Sequence, residues 1–118
     1  MNNKDKDIKK EIKMNDYKQK YPIGEFVKPE IISIEILHQW IRTIENFPTK
    51  LLSEVKNLTE DELKYKYRTN GWNISQIVHH CADSHLNSFT RFNLALTEYN
   101  PIIRPYWEDR WAELVDCT

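Results

Sequence analysis

From Glu30 onward the apolar residues Ile34, Leu37, Ile41, Ile44, Leu51, Val55 and Leu58 recur at helical steps, and Trp40 and Phe47 widen the stripe. Side chains three or four positions apart share one face of a 3.6-residue turn, so this pattern predicts a first long helix. Pro48 lies inside it. Proline removes a backbone donor and clashes with the preceding turn, which predicts a kink or a break near Asn46 and Phe47.

Thr59-Glu60-Asp61-Glu62 fits a capping box, with Leu58 and Leu63 placed as its hydrophobic staple. A helix of two or three turns is expected to follow and to end at Arg68-Thr69-Asn70-Gly71, where Asn-Gly redirects the chain. The same start grammar returns with Asn73 as N-cap, Gln76 three residues on, and Trp72 able to pack on Ile77. No Pro or Gly follows until Pro101, so a second long helix of about 25 residues is predicted. The prolines of residues 101–106 predict an extended connection. Residues 107–115 open a further helix, their early acids suiting its positive end. Neither strand alternation nor an internal repeat is evident, and the predicted class is all-α.

Charge changes the picture at one end only. The first twenty residues hold seven Lys and four acids, whereas residues 21–118 are net acidic and the 118-residue whole sums to -1. Residues 1–20 are expected to form a mobile tail or a fraying helix, and residues 21–118 one helical domain, with Tyr21-Pro22-Ile23-Gly24-Glu25-Phe26 as an extended arm carrying aromatic anchors. No chain-wide basic field favours nucleic acid. No apolar run reaches the roughly 18 residues of a membrane span, and no signal-peptide pattern is present, so the chain reads as cytoplasmic. Cys81 and Cys117 lack the number and spacing of a disulfide framework or zinc ribbon and are expected as reduced thiols. With Gly24 and Gly71 as the sole glycines, a phosphate-cradling glycine-rich loop is excluded.

On the second long helix, a 100° step per residue places Ile74, Ile77, Val78, Cys81, His85 and Phe92 in one apolar sector. Beside it runs a polar stripe of Gln76, His80, Asp83, Ser84, Asn87 and Arg91. Such a stripe can line a pocket in which a histidine ligates metal while its neighbours orient it; a solvated face that happens to carry a histidine is the simpler alternative. Adjacent residues diverge by about 100°, so His79 and His80 cannot both enter one site. His80 flanks the core and His79 is expected to face solvent. His85 reads as a hydrogen-bonded core histidine, Cys81 as a buried thiol of raised pKa, and His38 has no partner nearby in sequence.

Tyr21-Pro22-Ile23-Gly24, Tyr67-Arg68 with Gly71-Trp72, and Val78-His79-His80-Cys81-Ala82-Asp83-Ser84-His85 occur in that order, followed by Asn87-Ser88, Arg91-Phe92, Leu96-Thr97-Glu98, Arg104-Pro105-Tyr106 and Trp111. This series closely resembles the YfiT-like branch of the DinB superfamily. The resemblance implies an antiparallel four-helix bundle holding a divalent metal, zinc or nickel, with metal-dependent hydrolase or thiol-dependent transferase activity. It also implies three histidine ligands, one on the second long helix and a His-x-x-x-His pair on the last. Carried over, the first falls on His80; the geometry of the stripe alone suggests Asp83, Asn87 and Arg91 as neighbours that orient substrate. No histidine follows His85 in this sequence. The expectation is therefore a truncated bundle that holds one of three ligands, binds metal weakly and is inactive alone, with no catalytic residue assigned. The alternative is a non-catalytic helical module that dimerises or pairs with a complementary helical half.

Overall fold

A computed structural model describes residues 15–117. The chain divides into two compact units, one ending at Asn57 and the other beginning at Leu58. The expectation of a charged mobile tail falls largely on residues 1–14, outside the described residues; residues 15–20 are helical.

In the first unit that helical piece leads into an extended arm. Tyr17 stacks obliquely on Tyr21 at 5.1 Å and its hydroxyl donates to Glu25 Oε1 at 3.1 Å. Gly24 takes φ +83°, a left-handed conformation that costs glycine least, and its N–H donates to the Tyr21 carbonyl to close the turn. Phe26 then meets Trp40 edge-on at 6.0 Å, so the arm does carry an aromatic anchor. The first long helix, α1, spans Ile34–Val55 and is capped by Ser33, whose hydroxyl accepts from Ile36 N at 3.4 Å. Of the kink or break expected near Asn46 and Phe47, the break does not occur: α1 runs on through Pro48. Proline deletes one N–H donor, and the helical bonds on either side carry the segment past that gap. The partly covered line on α1 runs through Ile36, Trp40, Phe47, Leu51 and Val55, while Ile34, Leu37, Ile41 and Ile44 are exposed. The predicted stripe is thus rotated by part of a turn.

The second unit opens with the predicted capping box. Thr59 Oγ1 accepts from Glu62 N, and Glu62 Oε2 accepts from both the N–H and the hydroxyl of Thr59 at 2.8 Å. Helix α2 is one turn, Glu60–Leu63, not the two or three expected. The reason is non-local. Lys66 pairs with Asn73 in an isolated antiparallel bridge and the Tyr65 carbonyl accepts from Ile74 N, which pulls the backbone out of the helix. Asn70 adopts φ 58° in the intervening turn, as Asn tolerates, and Gly71 N donates to the Arg68 carbonyl.

The second long helix, α3, spans Ile74–Thr97. It ends three residues before the Asn100-Pro101 stop, and residues 101–106 are non-helical as predicted. The last helix, α4, is a single turn at Glu108–Trp111 whose N-cap, Trp107, makes no side-chain bond. Turns follow it through residue 117, where a longer helix was expected. Ala112 and Cys117, each 3% exposed, are the deeply buried apolar residues. Phe92, placed in the core sector by periodicity, is 64% exposed. The fold class is all-α; among the described residues the Lys66–Asn73 bridge stands outside any strand.

Candidate functional site

The site begins at the N-terminus of α3, where Asn73 Oδ1 accepts from Gln76 N at 2.8 Å and Gln76 Oε1 accepts from Asn73 N at 3.0 Å. The reciprocal box satisfies two helix-end donors and fixes the Gln76 rotamer. The other end of that amide, Nε2, donates to the Ala112 carbonyl at 2.7 Å, across 36 residues. One side chain therefore both starts α3 and ties the returning 101–117 segment to it.

Further along α3 the stripe lines a cavity of about 460 Å³. Asn87, Arg91 and Leu94 form one wall and Ile103, Tyr106 and Trp111 another. Tyr106 packs on Trp111 with ring centroids 4.7 Å apart. Burial first, then the charges of Glu108 and Asp83, push the Tyr106 phenol above its ordinary pKa, against opposing contributions from Arg91 and Ser84. At neutral pH it is a hydrogen-bond donor. Asn87 Nδ2 bonds back to the Asp83 carbonyl at 2.9 Å, one helical turn away.

The four histidines have separate fates. His38 is exposed. His80 is half-buried, its ring tilted against Trp72 at 4.8 Å, so the tryptophan read as a staple for Ile77 also fixes the imidazole. His85 Nδ1 lies 2.7 Å from the Cys81 carbonyl, the hydrogen-bonded arrangement that periodicity suggested. Cys81 is half-buried, and burial raises its thiol pKa as expected.

His79 departs from expectation. Instead of facing solvent it is half-buried, and its ring nitrogen, a carboxylate oxygen of Asp116 and Cys117 Sγ all lie within 4.8 Å of one another. The thiol contacts Asp116 Oδ1 at 3.7 Å. Burial, Asp116 and the charge of Asp83 together raise the Cys117 pKa. The physical reason lies in the returning segment: it covers the side of α3 shared by Gln76, His79 and Asp83, a side that a wheel drawn for α3 alone leaves open to water. Asp116 and Cys117 carry no spacing signal in the sequence. The readable hint was the four-residue step from His79 to Asp83, which puts both on one face. This trio is the single group of three potential ligands among the described residues, and it does not include His80.

Comparison with known proteins places these features in context. A model of the DinB superfamily matches residues 43–116. A Bacillus cereus strain B4264 protein called "Putative metal-dependent hydrolase" is 48% identical over 103 residues, covering 87% of this chain and 58% of its own length. A Bacillus anthracis strain CDC 684 protein of the same name matches equally. Among solved structures, YfiT from Bacillus subtilis, described as "a probable metal-dependent hydrolase with an unusual four-helix bundle topology", superimposes with TM-score 0.81 at 48% identity. That match covers 85% of this chain and 57% of YfiT. The chain thus spans a little under three-fifths of the length of these relatives.

Proposed function

The chain belongs to the DinB superfamily, and from that premise we propose that it carries part of a metal-dependent hydrolase centre, with His80 on α3 as one ligand of zinc or nickel. The observation that supports this is its 48% identity to relatives named for metal-dependent hydrolysis. A catalytic zinc site uses three protein donors and keeps one position open. Around His80 the described residues do not complete such a set, because the one trio of donors excludes it. The further donors at His80 are proposed to come from outside these 118 residues.

The chain's own residues have definable tasks within that reading. Arg91 places a permanent positive charge in the cavity wall, suited to an anionic or carbonyl-bearing part of a substrate. Tyr106, kept protonated, offers an O–H donor on the opposite wall. Trp72 restricts the His80 ring. Within the stripe Asn87 is tied to the Asp83 carbonyl through its Nδ2. In a complete centre the metal supplies a bound water whose pKa falls to near neutrality.

Zinc titration followed through imidazole NMR signals tests the assignment, in Cys117→Ser protein so that the neighbouring trio is disabled. His80 should respond first among the histidines and weakly, since one imidazole holds zinc poorly. Submicromolar binding retained in the His80→Ala/Cys117→Ser double variant, or a His80 ring indifferent to zinc, overturns it.

A further inference from the structure

We propose that His79, Asp116 and Cys117 form a zinc-binding site of their own, separate from His80. Three donors of different type converge there from two parts of the second unit, one from α3 and two from the returning segment, within a 4.8 Å span. Imidazole, carboxylate and thiolate are the donors that zinc accepts, and three protein ligands with one open position is the composition of catalytic zinc sites. A thiolate among the donors favours zinc over the hard cations magnesium and calcium, which take oxygen ligands.

Zinc bonds of roughly 2.0–2.3 Å set tetrahedral ligand atoms about 3.3–3.8 Å apart. The most widely spaced donors therefore need to close by up to about 1.5 Å, and the exposed Asp116 side chain has room to turn toward the other two. Cys117, at 3% exposure, is already held in a water-poor position. The surroundings favour a cation. Asp83 lies one helical turn from His79 on the same face, and its charge acts on Cys117 together with that of Asp116. Two carboxylates near one thiol are a concentration of negative charge that a divalent ion offsets, and the ion displaces the thiol proton when it binds.

The geometry also separates this site from the His80 reading. Adjacent residues on a helix point about 100° apart, and the His80 ring is occupied with Trp72. One helix can thus present His79 to the returning segment and His80 elsewhere.

The test is cobalt substitution in the 118-residue chain, since a cysteine thiolate bound to cobalt(II) gives a sulfur-to-metal charge-transfer band in the near ultraviolet. One equivalent of cobalt should generate the band and one equivalent of zinc should erase it. Cys117→Ser should abolish the band, and His79→Ala and Asp116→Asn should each weaken zinc binding by roughly tenfold or more, given that even outer partners of a metal cost about 10–100-fold when removed. Cys81→Ser and His80→Ala should leave band and affinity unchanged, with circular dichroism confirming that each variant is folded. Absence of the band in the parent protein, its survival in Cys117→Ser, or its loss in His80→Ala overturns the proposal. Its failure leaves the His80 assignment intact, because that assignment is read in protein lacking the Cys117 thiol.

Discussion

Helix α1 and helix α3 are of similar length, 22 and 24 residues, yet only the second gathers chemistry. α1 starts on a single long cap bond of 3.4 Å from Ser33, carries Pro48 in its interior, and turns its polar side chains back on itself. Thr43, Asn46 and Ser53 each donate to a carbonyl three or four residues earlier. α3 starts on a reciprocal box, and its Gln76 reaches Ala112, 36 residues on. Periodicity suffices to make either helix. A site requires that a second piece of chain return along the helix and be bonded there, as residues 101–117 do along α3.

The largest expected effect tests whether α1 is limited by its own backbone. Pro48→Ala restores an N–H donor facing the Ile44 carbonyl and removes the ring clash, so α1 should gain up to about 3 kcal/mol. Amide exchange should slow across the middle of α1. Unchanged protection there would mean that the helix has adapted fully to Pro48, and the contrast with α3 would then lie in the caps alone.

Gln76→Ala attacks the other side of the comparison. It removes the capping partner of Asn73 and leaves the carbonyl of buried Ala112 without its 2.7 Å donor. The combined cost should be about 2 kcal/mol in denaturant unfolding followed by tryptophan fluorescence. The same variant should weaken cobalt binding at Cys117, because the tie at Ala112 positions the turn that carries the ligands. Thr43→Ala on α1 deletes only a local back-bond and should stay within about 0.5 kcal/mol. Equal costs for the two would erase the distinction between local and returning bonds.

What the sequence disclosed follows the same division. Both capping boxes were legible because each is complete within four residues, and so was a hydrogen-bonded role for His85, whose partner, the Cys81 carbonyl one turn back, the structure supplies. The family resemblance was legible because its motifs lie in order along the chain. The length of α2 was not, since Lys66 and Asn73 pair across a turn. Nor was the tolerance of α1 for Pro48, because propensity states a cost and not whether the rest of the helix outweighs it. His79 was misplaced for the most instructive reason: the groups that cover it sit some 37 residues away and become neighbours only when the chain folds back.

A smaller effect sharpens the turn that feeds α3. A Cβ on Gly71 would stand 2.8 Å from Arg68 Cγ, 3.1 Å from Tyr67 Cε1 and 3.2 Å from the Arg68 carbonyl oxygen. The arginine side chain can move only by giving up its bonds to the Tyr67 hydroxyl and the Thr69 carbonyl, and the Arg68 carbonyl is held by the Gly71 N–H at 3.1 Å. Gly71→Ala should therefore cost about 1 kcal/mol, at the low end for overpacking, measured by thermal unfolding. A neutral or stabilising result would show that the turn yields, and that the entry to α3 is less fixed than its cap implies.

The smallest expected effect separates the two capping boxes of the second unit by pH. In the first, the Thr59 N–H and hydroxyl donate to Glu62, and these bonds hold its carboxyl below the ordinary 4.5. In the second, Gln76 makes the equivalent bond with a neutral amide. A carboxyl whose folded pKa is depressed stabilises the fold fully above its unfolded pKa and loses that contribution as pH falls through the folded value. Acidification from about pH 6 to about pH 3 should therefore fray Glu60–Leu63 while the start of α3 keeps its protection. Amide exchange at Glu62 and Gln76, the two N–H groups that the boxes hold, reads both ends at once. Glu62→Gln should make the first box as indifferent to acid as the second. If the two boxes weaken together in the parent protein, the loss is a property of the whole second unit and the start of α3 is no more autonomous than α2.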